Sequence, residues 1–234
     1  MIGILAGMGP KSTGPFIDNV VEQCQKIYGA KVDLDFPQMM IYSCPTPFFI
    51  DKPIDHEEME QSIINGAKRL ESTGVDFIAM PCNTAHLYFD KLEEALTVPI
   101  LNIVEETINA MPQSCKKVAL LGTEPTVQSQ IYQNAFLECG IVYISRTTWQ
   151  MSVNEIISTI KLGNVQEAQQ LWNELCAELS ETVDTVVVAC TDLNVVLTNQ
   201  WDKITFVDSA DCLAQALVKK YLSKSNYSSV SLTD

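Results

Sequence analysis

Short apolar runs alternate with longer amphipathic stretches along most of the chain. The runs have the length of buried strands, and the stretches between them repeat apolar side chains every three or four residues, as helices packed on a sheet do. This alternation predicts an α/β fold with parallel sheets. Strands are predicted at residues 2–7, 36–43, 75–80, 98–101, 118–122, 141–145, 184–189 and 204–207. Helices are predicted up to about residue 28 and at 55–73, 84–96, 152–161, 165–181 and 209–222, with a turn and helix in 123–139.

The two halves of the chain resemble each other. The strand that opens at residue 2 is similar to the one at residue 118, and VDFIAMPCNTAH (75–86) is similar to VDTVVVACTDLN (183–194). We therefore predict two α/β domains with pseudo-two-fold symmetry and mainly parallel sheets. Each half places a first-strand turn and a cysteine turn at the same end of its sheet, which predicts an active site in the interdomain cleft. The predicted domains are 1–100 plus 209–234, closed by the C-terminal helix, and 101–208.

The chain carries a net negative charge, and this limits the kinds of molecule that it is expected to bind. Lys and Arg total 15 against 29 Asp and Glu, for a formal net charge of −14. Such a chain is repelled by phosphate backbones and anionic membrane surfaces, so we predict no nucleic-acid or membrane partner. No uninterrupted apolar run approaches the roughly 20 residues that cross a bilayer, and the N-terminal stretch lacks the basic start of a signal peptide. We expect a cytoplasmic protein.

The cysteines are expected to be reduced thiols. The chain has eight of them, which in a cytoplasmic protein seldom pair. None forms C-x-x-C, and with only His56 and His86 available we predict no metal site. Four of the cysteines fall within or at the ends of amphipathic helices and are given no functional role, namely Cys24, Cys139, Cys176 and Cys212.

Cys82 and Cys190 differ from the other cysteines because each lies in a turn between an apolar strand and a predicted helix start. Free N–H groups and the helix dipole favour the thiolate there, and the same N–H groups bind carboxylates. Two thiols on opposite faces of a substrate suit inversion at carbon, since a thiolate removes a proton from one face and a thiol returns one to the other. This chemistry requires no cofactor. The alternative, that both are core side chains, is disfavoured by their equivalent places in the repeat.

Four further features allow more than one interpretation. GMGPKSTG (7–14) either cradles a small anion with backbone N–H groups or forms a plain strand-to-helix turn. The proline-rich loop 44–54, which includes Phe48, is either a lid over a site or a loop packed on the surface. His86 is interpreted as a capping or supporting residue rather than a base. Asp192 either orients or repels a neighbouring group.

Several stretches resemble the cofactor-independent aspartate/glutamate racemase family, especially its aspartate racemase branch. They span nearly the whole chain in the family's order. The resemblance implies two Rossmann-like domains, a two-thiol mechanism without pyridoxal phosphate, and usually a homodimer. The matching stretches are IGILAGMGP (2–10), MPCNTAH (80–86), IVEET (103–107), the T-x-x-T turn of Thr123 and Thr126 with Tyr132 beyond it, IKLGN (160–164) and ACTDLNVVL (189–197).

The same resemblance implies roles for individual residues. Cys82 and Cys190 would be the acid/base pair, and Lys161 would face the side-chain carboxylate of the substrate. Together these roles predict racemisation of an amino acid, aspartate first, with glutamate or others also open. The implied contacts to the substrate α-carboxylate and amino group are Met8, Asn83, Thr84, Thr123 and Thr191.

One loop departs from the family pattern. Aspartate racemases typically carry Asn-Asn-Pro…Pro-Asp-Arg after the second strand, and its arginine grips the distal carboxylate, whereas this chain has SCPTPFFIDKP at 43–53. Lys52 would replace the arginine as a point charge rather than a bidentate fork, or Phe48 would favour a less polar side chain. The motifs therefore predict racemisation but leave the substrate side chain open.

Two other functions are compatible with the same motifs. Related cysteine-dependent folds include maleate isomerases, hydantoin racemases and arylmalonate decarboxylases, and the intact pair of cysteines argues against the decarboxylase. The other function is that of an amino-acid-binding protein that has lost activity. Its only support is the altered loop, and the presence of both thiols argues against it.

Overall fold

The chain forms an α/β structure, as the alternation of apolar runs predicts. The computed structural model describes residues 1–47, 53–197 and 201–224. Within these residues the chain divides into two compact units, each with its own parallel sheet. Unit 1 holds the described residues of 1–81, 88–102 and 213 onward, and unit 2 holds those of 82–87 and 103–212.

Unit 1 is built on four described parallel strands. They are β1 (Ile2–Ala6), β2 (Met39–Ser43), β3 (Phe77–Ala79) and β4 (Ile100–Leu101), in the spatial order β2-β1-β3-β4. All five residues of β1 are buried, because a central strand of a parallel sheet is apolar on both faces.

The helices of unit 1 begin and end where local chemistry allows. Helix α1 (Thr13–Tyr28) ends at Gly29, which adopts the left-handed φ of 72° that favours glycine. Helix α2 (His56–Glu71) begins after Asp55, whose carboxylate accepts the N–H of Glu58 at 3.0 Å. Helix α3 (Phe89–Ala95) and the described residues from 213 onward complete the unit.

Gly7 allows the loop after β2 to pass close to the end of β1. A Cβ at this position would lie 2.6 Å from the backbone N of Cys44 and 2.7 Å from Oγ of Ser43. The N–H of Gly7 donates to Oγ1 of Thr13 at 3.1 Å. The glycine therefore serves close packing of backbone, and its own N–H has a protein partner in Thr13.

Unit 2 repeats the topology of unit 1. Its described strands are β5 (Lys117–Gly122), β6 (Val142–Tyr143), β7 (Thr185–Ala189) and β8 (Thr205–Asp208), and their order β6-β5-β7-β8 is that of unit 1. In both units the second strand of the chain lies at one edge, and the first and third are central. The internal repeat predicted from the sequence is thus present in the strand order.

The helices of unit 2 pack on this sheet. They are α4 (Ile103–Asn109), α5 (Glu124–Gln128), α6 (Ile131–Glu138), α7 (Thr147–Lys161) and α8 (Val165–Ser180), and α9 (Ser209–Lys224) starts in this unit. Trp149 and Trp172 are buried in a core formed with apolar side chains of β5 and β7. Trp172 also contacts Phe206, with ring centroids 5.7 Å apart.

Three predicted elements differ from the structure. The helix predicted over 84–96 is a 3₁₀ turn over Thr84–Tyr88 followed by α3. The start of this stretch is held by side-chain hydrogen bonds from Asn83 to Ser209 and between Thr84 and Thr123. The helix predicted from 152 begins at Thr147, since burying Trp149 in the core extends it. The stretch 123–139 forms two helices, with Gln130 between them at a left-handed φ of 63°.

None of the helices formed by the described residues is both long and apolar enough to span a bilayer.

Candidate active site

Each of the two predicted thiols follows the third strand of its half of the repeat. Cys190 comes directly after β7, and Cys82 comes after β3 and the residues Met80 and Pro81. A 3₁₀ turn follows each cysteine, over Thr84–Tyr88 and Thr191–Val195. Where the sequence predicts helix starts after the cysteines, the described residues first form these short turns, and a single short turn carries little of the dipole of a full helix.

Residues 82–87 group with unit 2, so both thiols belong to that unit. The sequence prediction assigned these residues to the first domain. The physical reason for the difference is a set of side-chain bonds that sequence cannot show. Asn83 Nδ2 donates to Oγ of Ser209 at 2.9 Å, and the hydroxyl groups of Thr84 and Thr123 are 2.9 Å apart.

Burial makes both thiols weaker acids than a free cysteine, contrary to the thiolate predicted from the turn position. Burial raises the pKa of Cys82 to about 11, although hydrogen bonds from the backbone N–H groups of Ala85 and Thr84 lower it. Burial, followed by the charge of Asp192, raises the pKa of Cys190 to about 12. The N–H groups favour the thiolate as predicted, but desolvation of the charged sulfur outweighs them. Both thiols are therefore protonated at neutral pH in the free protein.

The two thiols share one electrostatic environment. The negative charge of Asp192 raises the pKa of both, and the positive charge of Lys161 lowers the pKa of both. A charge on Cys82 also raises the pKa of Cys190, so the two sulfurs are close enough for their ionisation to be coupled. Lys161 Nζ and Asp192 Oδ2 are 3.5 Å apart, so Asp192 pairs with Lys161 while its charge disfavours both thiolates.

The Asp192→Asn variant should make Cys82 more acidic. Loss of the carboxylate removes a charge that raises the pKa of this thiol, so the thiolate fraction should increase at every pH below about 11. Alkylation of Cys82 by iodoacetamide, followed by peptide mass spectrometry, should rise about tenfold per pH unit between pH 7 and 9 in both proteins. The variant should react severalfold faster throughout.

Two comparisons control this measurement. Lys161→Met should shift the alkylation of Cys82 in the opposite direction, because the lysine lowers the pKa of the thiol. The exposed Cys139 should react equally in all three proteins. An unchanged rate at Cys82 in both variants would contradict the electrostatic assignment.

Three threonine hydroxyl groups form a cluster beside Cys82. Thr84 Oγ1 lies 2.9 Å from Thr123 Oγ1 and 3.1 Å from Thr126 Oγ1, and the last two are 3.0 Å apart. Thr126 is fully buried, whereas Thr123 is partly exposed. The fold thus brings together two predicted substrate contacts, Thr84 and Thr123, and presents hydroxyl donors of the kind that bind a carboxylate.

The Asn83 side chain is directed into the protein. It is 3% exposed, and its two polar atoms both have partners, Oδ1 accepting the hydroxyl of Tyr132 at 2.6 Å and Nδ2 donating to Ser209. Any contact of this residue with a ligand would therefore use its backbone.

His86 caps the turn after Cys82, as interpreted from the sequence. Its Nδ1 donates to the carbonyl oxygen of Cys82 at 2.8 Å, and its Nε2 accepts the N–H of Ile103 at 3.1 Å. The carbonyl can only accept and the amide can only donate, so these bonds define the tautomer. With both ring nitrogens engaged, the imidazole is not poised to take a proton.

Met8, Thr191, Phe48 and Lys52 are the remaining predicted residues. Met8 follows β1 in unit 1 and is 9% exposed. Thr191 is partly exposed in the turn after Cys190. Phe48 and Lys52, predicted as lid or distal-carboxylate contacts, lie outside the described residues.

Sequence reasoning missed the polar residues behind the cysteine turns. Asp208 ends β8 and Ser209 begins α9, far along the chain from Cys82, and Asp208 Oδ2 accepts the side-chain N–H of Asn194 at 2.9 Å. Burial raises the pKa of Asp208 to about 6. The one signal in the sequence is that Asp and Ser directly follow an apolar strand in FVDS (206–209).

Among residues 1–47, 53–197 and 201–224, no group of three or more His, Cys, Asp or Glu side chains is placed to hold a metal ion.

Comparison with known proteins finds relatives over nearly the whole chain. The sequence model of one family, described as Asp/Glu/hydantoin racemase, matches residues 5–217. A protein of Bacillus subtilis named as a broad specificity amino-acid racemase is 56% identical over 223 residues, which is 95% of this chain and 98% of that protein.

Solved structures show the same fold. The aspartate racemase of Picrophilus torridus has a TM-score of 0.81 and 31% identity, covering 94% of this chain and 93% of that one. An aspartate racemase homologue of Pyrococcus horikoshii has a TM-score of 0.77 and 26% identity, covering 94% and 97%.

Proposed function

The chain belongs to the Asp/Glu/hydantoin racemase family, and from that premise we propose that it is an amino-acid racemase of broad specificity, with aspartate among its substrates. The observation that carries the proposal is the pair of coupled thiols, Cys82 and Cys190, at equivalent places in the repeat and in one electrostatic environment. Racemases are isomerases, and inversion at Cα needs a base on one face and an acid on the other.

In the proposed mechanism one thiolate removes the Cα proton and the opposite thiol supplies a proton to the other face. The first sulfur ends protonated and the second ends as thiolate, so the two exchange roles for the reverse direction. Both thiols start protonated in the free protein, and one must release its proton to solvent when substrate binds. The positive α-ammonium group of an amino acid favours this loss, because a nearby opposite charge lowers the pKa of a thiol. The mechanism uses no cofactor.

The substrate α-carboxylate is proposed to bind the hydroxyl groups of Thr84 and Thr123 and the backbone near Asn83. These donors stabilise negative charge that spreads onto the carboxylate as the Cα proton leaves. Thr191 and Met8 remain predicted contacts for the same part of the substrate.

The ion pair of Lys161 and Asp192 supports acceptance of several side chains. Lys161 is the predicted partner of a distal carboxylate, but Asp192 lies 3.5 Å away and offsets its charge. A distal carboxylate is therefore less strongly favoured than it would be by a lone cation. The broad specificity named for the Bacillus subtilis relative supports the same proposal.

A Cα-exchange screen tests the function. Each enantiomer of the common amino acids is incubated with the protein in D₂O, and deuterium at Cα is measured by mass spectrometry alongside loss of the circular dichroism signal. We expect several amino acids, aspartate included, to gain deuterium and lose optical activity together. The control is the Cys82→Ser/Cys190→Ser double variant, which should do neither.

The other outcomes of this screen identify the alternatives. Exchange restricted to aspartate would contradict broad specificity and would indicate an aspartate-specific racemase. Loss of optical activity with 5-substituted hydantoins but not with amino acids would indicate a hydantoin racemase. Binding of amino acids without exchange would indicate an inactive binding protein.

Two further properties stay predictions. A homodimer is expected from the family resemblance, and a cytoplasmic location from the composition and the N-terminal sequence. Sedimentation velocity of the purified protein tests the first, and fractionation of cells that express it tests the second.

A further inference from the structure

The start of helix α9 is bonded to the chain next to Cys82. The fully buried hydroxyl of Ser209 accepts the N–H of the Asn83 side chain at 2.9 Å and donates to the carbonyl of Val188 at 2.9 Å. Tyr132 completes the arrangement by donating its hydroxyl to Asn83 Oδ1 at 2.6 Å. Asn83 directly follows Cys82, so these bonds hold the loop that carries the first thiol.

Asp208, the residue before Ser209, is bonded to the turn that follows the other thiol, Cys190. Asp208 ends β8, and its Oδ2 accepts the side-chain N–H of Asn194 at 2.9 Å. Its Oδ1 accepts the N–H of Ala210, which keeps the carboxylate oriented. Asn194 belongs to the 3₁₀ turn directly after Cys190.

We infer that the Asp208-Ser209 junction positions both thiols, Ser209 and Tyr132 acting through Asn83 on Cys82, and Asp208 acting through Asn194 on Cys190. This inference rests on the proposed two-thiol function and adds positioning residues to it. The positioning residues are not placed against the substrate; they are Ser209, Tyr132, Asp208 and Asn194. Their effect is to fix the two sulfurs relative to each other, because two adjacent residues are bonded to the two cysteine segments.

The physical basis is that these bonds are buried or partly buried and have no ready substitute. A buried amide that loses its partner is left unsatisfied, so the loop is held in one conformation. Proton transfer to carbon requires the sulfur within a narrow range of distance and angle from Cα, and a displacement of about 1 Å can lower the rate about 100-fold. A positioning bond therefore affects the rate without touching the reacting atoms.

The test uses a reaction that needs only one thiol, so that the contribution of each thiol is measured separately. β-Chloroalanine loses its Cα proton to a thiolate while the C–Cl bond breaks, the electron pair leaves as chloride and a Cα=Cβ bond forms. The aminoacrylate is hydrolysed to pyruvate and ammonium, and pyruvate is measured with lactate dehydrogenase and NADH. No proton is delivered to the opposite face. The D and L enantiomers thus report the two thiols separately, and Cys82→Ser and Cys190→Ser show which enantiomer depends on which thiol.

Tyr132→Phe should lower kcat for the enantiomer that depends on Cys82 about tenfold and change the other less than twofold. Asn194→Ala should show the opposite pattern, with the Cys190-dependent enantiomer slowed. Tyr143→Phe is the matched control, because Tyr143 also packs on Phe136 in unit 2 but is not bonded to either cysteine segment. It should leave both rates unchanged.

The outcomes distinguish this inference from the function on which it rests. If the wild-type protein eliminates chloride from neither enantiomer, the two-thiol function fails and the inference with it. If the cysteine variants separate the enantiomers but Tyr132→Phe and Asn194→Ala slow both enantiomers equally, the function stands and the positioning role is overturned. A general loss of folded protein would produce that equal slowing, and circular dichroism of each variant measures it.

Discussion

Replacing either Cys82 or Cys190 by serine should lower the rate of racemisation about 10³-fold or more. Serine has nearly the same shape, but its hydroxyl is far less acidic than a thiol and cannot serve as a base near neutral pH. General acid and base groups typically contribute about 10² to 10⁴ to a rate. Each thiol is required in both directions, so one substitution should abolish racemisation from either enantiomer. Polarimetry with the preferred substrate from the exchange screen measures it.

Two other cysteines control for this effect. Cys176 is buried in unit 2, and burial raises its pKa to about 12, so it resembles Cys190 in burial and in the direction of its pKa shift. Cys139 is exposed. Serine at either of these positions should leave the rate of the folded enzyme within about twofold of wild type, as substitutions outside a site do. Retention of racemisation by both Cys82→Ser and Cys190→Ser would rule out the two-thiol mechanism.

Gly7→Ala should strongly destabilise unit 1, by about 3 kcal/mol or more. The residue has a φ of 91°, which an L side chain rarely adopts, and its Cβ would lie 2.6 Å from the backbone N of Cys44 and 2.9 Å from its O. Backbone atoms at the end of the β1–β2 pairing cannot move aside without breaking the bond from the Cys44 N–H to Ala6, which measures 2.8 Å. Urea denaturation followed by far-ultraviolet circular dichroism measures the change.

The Gly29→Ala variant separates the cost of the strained backbone conformation from the cost of steric overlap. Gly29 belongs to the same unit and has a φ of 72°, but a Cβ there would meet nothing within 4 Å. The free energy of unfolding of this variant should fall only by the cost of the left-handed conformation, about 1 kcal/mol. Equal losses in the two glycine variants would contradict the close packing at Cys44.

The same denaturation experiment tests the predicted domains. Trp149, Trp172 and Trp201 all fall within unit 2, so tryptophan fluorescence follows the unfolding of that unit alone. If the units unfold independently, Gly7→Ala should shift the transition seen by circular dichroism and leave the fluorescence transition in place. A matching shift in both signals would mean that the units unfold as one cooperative body.

Local patterns were sufficient to predict most strands and helices and to mark the two cysteines that follow the third strands. The apolar run VVVA before Cys190 and the similar run before Cys82 predicted two buried strands, each ending at a cysteine, and β7 and β3 lie there. These signals are readable because strand burial and helix amphipathicity depend on residues close in sequence. Boundaries were less predictable where tertiary packing decides them, as at Thr147, where burial of Trp149 extends α7 beyond its predicted start.

The sequence by itself determined the α/β class, the repeated order of elements and the two thiols at the ends of the third strands. Only the tertiary structure decided how those thiols are held and charged. The partners of Asn83 include Ser209, which is 126 residues away, and no local pattern records such a pair. The acidity of Cys82 depends on how much water burial removes from the sulfur, and that loss outweighs the N–H groups that the turn itself supplies. Solvation of a group depends on everything packed around it, and for that reason the turn could be recognised from sequence while the protonation state of its thiol could not.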